Sequence, residues 1–215
     1  MHMLKPDSKQ FKIIKAGLFL LACVPFLRLF IFAYLDQLGA NPLEAITRNT
    51  GDWTLYLLCI TLSITPLRRL SGWTWLIALR RMMGLFTFFY ASLHFLAFLW
   101  FDHFFDVQAM LLDVVKRPFI AMGFATFLFL LPLAITSTNS MMRKLGKRWK
   151  TLHQLIYLII IMGLLHFWWM RAGKQNFAQP LLITVIALVL LGSRLMTWWQ
   201  HKKSSPLLRN RFQGK

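Results

Sequence analysis

Six apolar runs, each close to the length that crosses a bilayer, leave this chain little choice of fold. They lie near residues 12–35, 53–67, 82–101, 118–136, 153–170 and 180–199. A hydrocarbon core about 30 Å thick takes roughly 17–25 helical residues to cross. Only helices or closed barrels pair every backbone polar group there. The second run is the shortest, confined between Asp52 and Arg68. With 57% hydrophobic residues among 215, the runs and their connections leave nothing over for a soluble domain. The expected fold class is all-α: a polytopic membrane protein, a six-transmembrane-helix bundle of residues 12–200. An N-terminal segment, 1–11, and a basic tail, 201–215, flank it. Lys5, Lys9, Lys12 and Lys15 lead into an apolar run too long for a secretory signal, and no small-residue cleavage site follows, so the first helix is expected to be retained.

A net charge of +18 invites a nucleic-acid reading, but the distribution argues against it. Six spans put both termini on one side, and eighteen lysines and arginines flank the spans there. The other side has five, Arg48, Lys116, Arg117, Arg171 and Lys174, together with six of the seven acidic residues. The positive-inside rule then predicts cytoplasmic termini. Basic clusters beside helix ends favour anionic lipid headgroups, and no nucleic acid is needed to explain them.

Cys23 and Cys59 are too few for an iron–sulfur cluster, and no C-x-x-C-H attaches a c-type haem; both read as packing residues. Asn41-Pro42 predicts the start of a short interfacial helix, and Pro66 the end of the second span. Trp73 and Trp75 predict a connection lying along the membrane surface over 71–79. Pro25 and Pro132 are expected to bend their helices. Arg28 and Arg194 fall inside spans and are expected to snorkel to the nearer interface, with pairing to haem propionates the alternative. The stretch 204–215 reads as a mobile polar tail. No internal repeat stands out.

Three of the six histidines carry the chemistry. His94, His153 and His166 lie inside apolar runs, where imidazole is costly and marks a functional site by default. His94 lies 13 residues beyond Arg81 and His166 lies 13 beyond His153, so the two reach nearly equal depth on facing helices. Two imidazoles at matched depth suit the axial positions of a low-spin b-type haem, a cofactor that helix bundles hold between facing side chains. His153 has no histidine at its level. Arg80 sits there instead, unable to ligate iron but suited to a haem propionate. On an ideal helix His153 and His166 point about 140° apart, so both serve iron only if the helix is irregular or two haems are offset. The bland alternative for each is a hydrogen-bonded packing histidine. His2, His103 and His201 read as solvated. Gly163, one turn before His166, is the glycine expected to make room for a macrocycle; Gly84 and Gly123 read as helix-packing positions.

The stretches ITPLRR (64–69), RRMMGLFTFFYASLHF (80–95), KRPF (116–119) and TSTNSMMRKLGKRWKTLHQLIYL (136–158) closely resemble the MsrQ family. These are the haem-binding membrane subunits of the bacterial MsrPQ methionine-sulfoxide reductase system. They belong to the ferric-reductase-like transmembrane superfamily, with the NADPH oxidases. The resemblance covers nearly all of 12–200. It implies that His94, His153 and His166 are axial ligands of one or two haems b. The superfamily's inner histidine on the third helix is replaced here by Arg80, which leaves the second haem site open. It further implies a bacterial inner-membrane protein taking electrons from the quinone pool or a cytoplasmic flavin reductase. These would pass to MsrP, a periplasmic molybdopterin enzyme that repairs oxidised methionines. FMN is also attributed to the family, although no flavin motif is present. Rival readings are a ferric or quinone reductase acting directly on a soluble acceptor, and a small transporter or scaffold without haem.

Overall fold

The computed structural model describes residues 6–172 and 177–212, with side chains described as far as residue 200. His2, Lys5 and Lys174, and the side chain of His201, therefore lie outside the described residues. The chain is helical throughout: α1 (Ser8–Tyr34), α2 (Pro42–Ser71), α3 (Arg80–Ala97), α4 (Val107–Lys116), α5 (Pro118–Ile135), α6 (Asn139–Leu145), α7 (Lys147–Leu152), α8 (Ile156–Ala172) and α9 (Ala178–Phe212). Among the described residues five stretches are long and apolar enough to cross a membrane: Ser8–Tyr34, Thr74–Asp102, Pro118–Ile135, Lys147–Ala172 and Ala178–Gln200. Large apolar side chains such as Leu20, Phe30, Leu188 and Val189 face outward from them. A soluble protein rarely presents so much contiguous apolar surface, and a lipid-embedded one must. The chain is a multi-pass membrane protein.

The expected second span, 53–67, is only the middle of α2. This helix has 30 residues and carries Glu44, Arg48 and Asp52 at one end and Arg68 and Arg69 at the other, so it falls outside those five apolar stretches. The interfacial helix expected at Asn41-Pro42 is its first turn, with the Asn41 side chain capping Glu44 N–H at 3.2 Å. Pro66 does not end the helix, which runs on to Ser71 and closes on left-handed Gly72. Pro66 removes the N–H that would serve the Leu62 carbonyl. That oxygen instead accepts from Arg194 Nη2 at 2.8 Å, so the ladder survives. Arg194 thus does not snorkel as expected; it reaches across to α2 and Tyr157.

The same device operates at Pro25. Phe26 N–H, which in an unbroken helix would serve the Ala22 carbonyl, donates to the Tyr90 hydroxyl at 3.0 Å, and that hydroxyl donates to Ala22 O at 2.7 Å. A side chain inserted into the ladder is a recognised cause of helix bending. It also clamps α1 to α3, where Tyr90 is buried with Met83, Phe86 and Leu57.

α2 and α3 pack as an antiparallel pair, as do α5 and α8, and the main core of Leu58, Leu62, Ile159, Ile160 and Ala187 joins both pairs to α9. Three features went unread in the sequence. α4 follows Asp106, which caps Ala109 N–H at 2.9 Å. A 3-10 turn at His153–Leu155 breaks the fifth apolar run at its first histidine. The stretch read as a mobile tail from 204 continues α9 as helix to Phe212.

Tyr90→Phe leaves Phe26 N–H without its partner inside the bundle. A loss of about 1–3 kcal/mol is expected, measurable as a lower unfolding temperature in detergent, with Phe89→Leu as the comparison that leaves this bond intact.

Candidate cofactor site

His94 and His166 meet. Their ring centroids lie 6.1 Å apart with planes at 75°. Each imidazole is held in the same way. His94 Nδ1 lies 2.8 Å from the Thr47 carbonyl on α2, and His166 Nδ1 lies 2.7 Å from the Phe119 carbonyl on α5. A carbonyl can only accept, so each Nδ1 carries the proton and each Nε2 presents its lone pair. Neither Nε2 makes a hydrogen bond among the described residues.

Behind each ring lies a glycine. A Cβ added to Gly51 would come within 3.0 Å of His94 Cε1, and one added to Gly123 within 2.8 Å of His166 Cε1. Both glycines stand four residues after the carbonyl that holds the ring. A helical carbonyl points toward the residue four positions on, so a side chain there would obstruct a second donor. Gly163, expected to provide the space, instead faces Leu55 Cδ2 at 3.4 Å, though it also lines the cavity described next. Gly51 went unnoticed in the sequence. It stands 43 residues before His94, as Gly123 stands 43 before His166, a spacing that acquires meaning only once the fold pairs them.

The two rings line a cavity of about 730 Å³ between α2, α3, α4, α5 and α8. That volume lies in the range typical of cofactor pockets, roughly 300–1,000 Å³. Its walls are apolar, with Phe95 stacked on Phe127 at 4.7 Å and Phe127 on Phe88 at 5.9 Å. Arg48, Lys116, Arg117 and Arg171 also line it. Arg171 is tied to Asp52 at 3.2 Å, Arg117 to Asp113 at 2.8 Å and Arg48 to Glu44 at 2.5 Å. None of these had been read as a site residue. His103, expected to be solvated, also lines the cavity, with its ring edge-on to Phe98 at 4.7 Å. Its Nε2 is buried, 3.5 Å from Asp113 Oδ2 and without a hydrogen bond. α4 folds back over it, and a short outer connection gave no warning of that cover.

His153 lies elsewhere, toward the start of the same apolar run. Its Nε2 is 3.1 Å from Thr136 Oγ1, and its ring stacks on Trp149 at 3.9 Å. It does not line the cavity. Arg80 is near it, and Arg28 lies over the Phe32 ring on the lipid-facing side.

Residues 50–164 match the ferric reductase like transmembrane component family. A protein of Herminiimonas arsenicoxydans named protein-methionine-sulfoxide reductase heme-binding subunit MsrQ is 61% identical over 204 residues, covering 94% of each chain. Proteins of the same name from Ralstonia nicotianae and Bordetella pertussis are each 52% identical. The alignments cover 92% and 88% of this chain and 89% and 92% of theirs. The chain belongs to the MsrQ family. Within this MsrQ-family chain the matched region runs from α2 into α8 and contains most of the cavity lining and His94, while His166 stands two residues beyond its end.

The geometry fits an iron porphyrin. Two imidazoles with centroids 6.1 Å apart, each with its Nδ1 engaged by a carbonyl, would be the residues to hold its iron. The glycine cradles keep both rings against their helices, and the apolar cavity extends around them.

Asp52→Asn removes a charge from the Asp52–Arg171 pair while Gln179 Oε1 still holds Arg171 at 2.7 Å. The expected cost is about 2 kcal/mol, seen as a lower unfolding temperature that a following Arg171→Gln change does not lower by as much again.

Proposed function

We propose that this chain is a b-type cytochrome that binds one haem b between His94 and His166. It would carry electrons across the bacterial inner membrane to the periplasmic methionine-sulfoxide reductase MsrP, from the quinone pool or a cytoplasmic flavin reductase. One observation carries the reading: two imidazoles 6.1 Å apart, each anchored through Nδ1 to a backbone carbonyl on a neighbouring helix. The names borne by the relatives, heme-binding subunits of protein-methionine-sulfoxide reductase, support the cofactor and the partner system. In this reading α2 is the sixth span. At 1.5 Å per residue its 30 residues reach about 45 Å, so charged ends can lie at both headgroup layers. Both termini then face the cytoplasm, with the histidine pair toward the periplasm.

Haem iron held there supplies one-electron redox chemistry. The protein's part is positional. Thr47 O and Phe119 O fix the tautomer and orientation of each ligand ring, the role that outer partners of metal-bound histidines commonly play. Gly51 and Gly123 let the rings lie flush on α2 and α5. Phe95, Phe127 and Phe88 keep water from the apolar walls. Arg48, Arg117 and Arg171 offer guanidinium groups to carboxylates at the polar edge of the cavity. His153, held by Thr136 and Trp149, is assigned no iron in this reading, and neither is a flavin.

Purified chain should be coloured, with about one haem per chain and a bis-imidazole spectrum. His94→Ala and His166→Ala should each abolish that spectrum, whereas His153→Ala should keep it. Retention of the full spectrum in His94→Ala would end this assignment. Gly123→Ala should perturb the bound haem more than Gly51→Ala, because its Cβ meets the ring at 2.8 Å rather than 3.0 Å. The comparison reads haem content and midpoint potential. Stopped-flow oxidation of the reduced chain by MsrP, with and without methionine sulfoxide, separates the MsrP role from direct reduction of a soluble acceptor.

A further inference from the structure

The arginines around the cavity each have a carboxylate; two at the opposite end of the bundle have none. Arg80 opens α3 and makes no hydrogen bond or ion pair among the described residues. It lies within electrostatic reach of Arg194, Tyr157 and His153. Arg194, on α9, donates Nη1 to the Tyr157 hydroxyl at 2.7 Å and Nη2 to the Leu62 carbonyl at 2.8 Å. Its Nε is buried and has no partner. Both groups that Arg194 does reach are neutral. At this end the described acidic residue is Asp7, whose carboxylate is occupied in capping α1.

Two partly buried guanidiniums therefore lie within electrostatic reach of each other, with no carboxylate paired to either among the described residues. Mutual repulsion and desolvation both disfavour that arrangement at low dielectric. An anion from outside the chain resolves it. The depth says which kind. Arg194 lies one turn before Trp198 and Trp199, and Trp73 stacks on Trp75 beside the start of α3 at 5.7 Å. Tryptophans of this sort mark the headgroup layer. Basic pockets between helices at that level, on the cytoplasmic side, hold anionic lipid headgroups. We propose that Arg80 and Arg194, with the Tyr157 hydroxyl, bind the phosphodiester of an anionic phospholipid between α3, α8 and α9. Arg80 supplies an unoccupied fork of N–H donors. Tyr157 accepts from Arg194, and its own hydrogen remains free for a phosphate oxygen. The assignment requires the membrane but not the haem.

The test uses the full chain in detergent, exchanged against phosphatidylglycerol, phosphatidylcholine or inorganic phosphate and followed by native mass spectrometry and thermal unfolding. The wild type should retain one phosphatidylglycerol per chain in preference to phosphatidylcholine, and should be stabilised by the former alone. Arg80→Gln should lower that retention about tenfold, and Arg80→Gln with Arg194→Gln should abolish it. A control, Arg143→Gln with Lys144→Gln, should leave it unchanged. Arg194→Gln also breaks the bond to Leu62; should that fold poorly, Arg80→Gln, which breaks no bond in the fold, decides alone. Equal retention of both lipids, or undiminished retention in Arg80→Gln, overturns the proposal. Equal protection by inorganic phosphate overturns the lipid source. A second haem lost in Arg80→Gln, with phosphatidylglycerol retention unchanged, would give the arginine to a propionate instead.

Discussion

A polar backbone group in hydrocarbon has no water to fall back on, and that constraint organises this protein at every depth. Where proline opens a helix, a side chain from another helix closes it: Tyr90 at Pro25, and Arg194 at Pro66. The candidate site uses the same chemistry without a proline. A helical carbonyl has two lone pairs, and the ladder uses one. At Thr47 and Phe119 the second goes to an imidazole N–H. The residue four positions on must then lack a side chain, and in both helices it is glycine. Ligand orientation, tautomer and helix–helix contact thus come from a single local arrangement, repeated.

That repetition explains how a cavity can exist in a bundle this narrow. α2 with α3 and α5 with α8 form two antiparallel pairs, each presenting a histidine inward from the same kind of seat. The pairs meet through a glycine set opposite a leucine, Gly163 and Leu55, and through large side chains of the shared core. Phe88, Phe95 and Phe127 fill the walls beside them.

The sequence disclosed the helical class, the positions of the apolar stretches and the matched depth of His94 and His166, because these follow from length and rise per residue. It concealed whatever depends on rotation about a helix axis or on a distant partner. Gly51 carries no motif; its meaning lies in facing His94, 43 residues away. Arg194 looked like a snorkelling residue because nothing local revealed that Pro66 had freed a carbonyl on α2. The same proline suggested a helix end, whereas the rescued bond lets α2 continue to Ser71. His103 looked solvated because α4, which covers it, is too short to register as an apolar run. The 3-10 turn at His153 lies in a stretch whose composition is uniformly helical.

Charge compensation divides the molecule into two unlike ends. Around the cavity, Arg48, Arg117 and Arg171 are paired with carboxylates from their own or neighbouring helices. Paired arginines are already oriented, and they can lend spare N–H groups to an incoming carboxylate without being ordered anew. At the other end Arg80 has no such partner among the described residues, and the Arg194 donors that are engaged reach only neutral oxygens. The positive-inside pattern accounts for cations on that side but not for arginines drawn between helices away from water. Two partly buried cations near each other are costly, and an anion from outside the chain lowers that cost. The two ends therefore differ in where the counter-charge comes from: the chain itself beside the histidines, and the surroundings beside the headgroups.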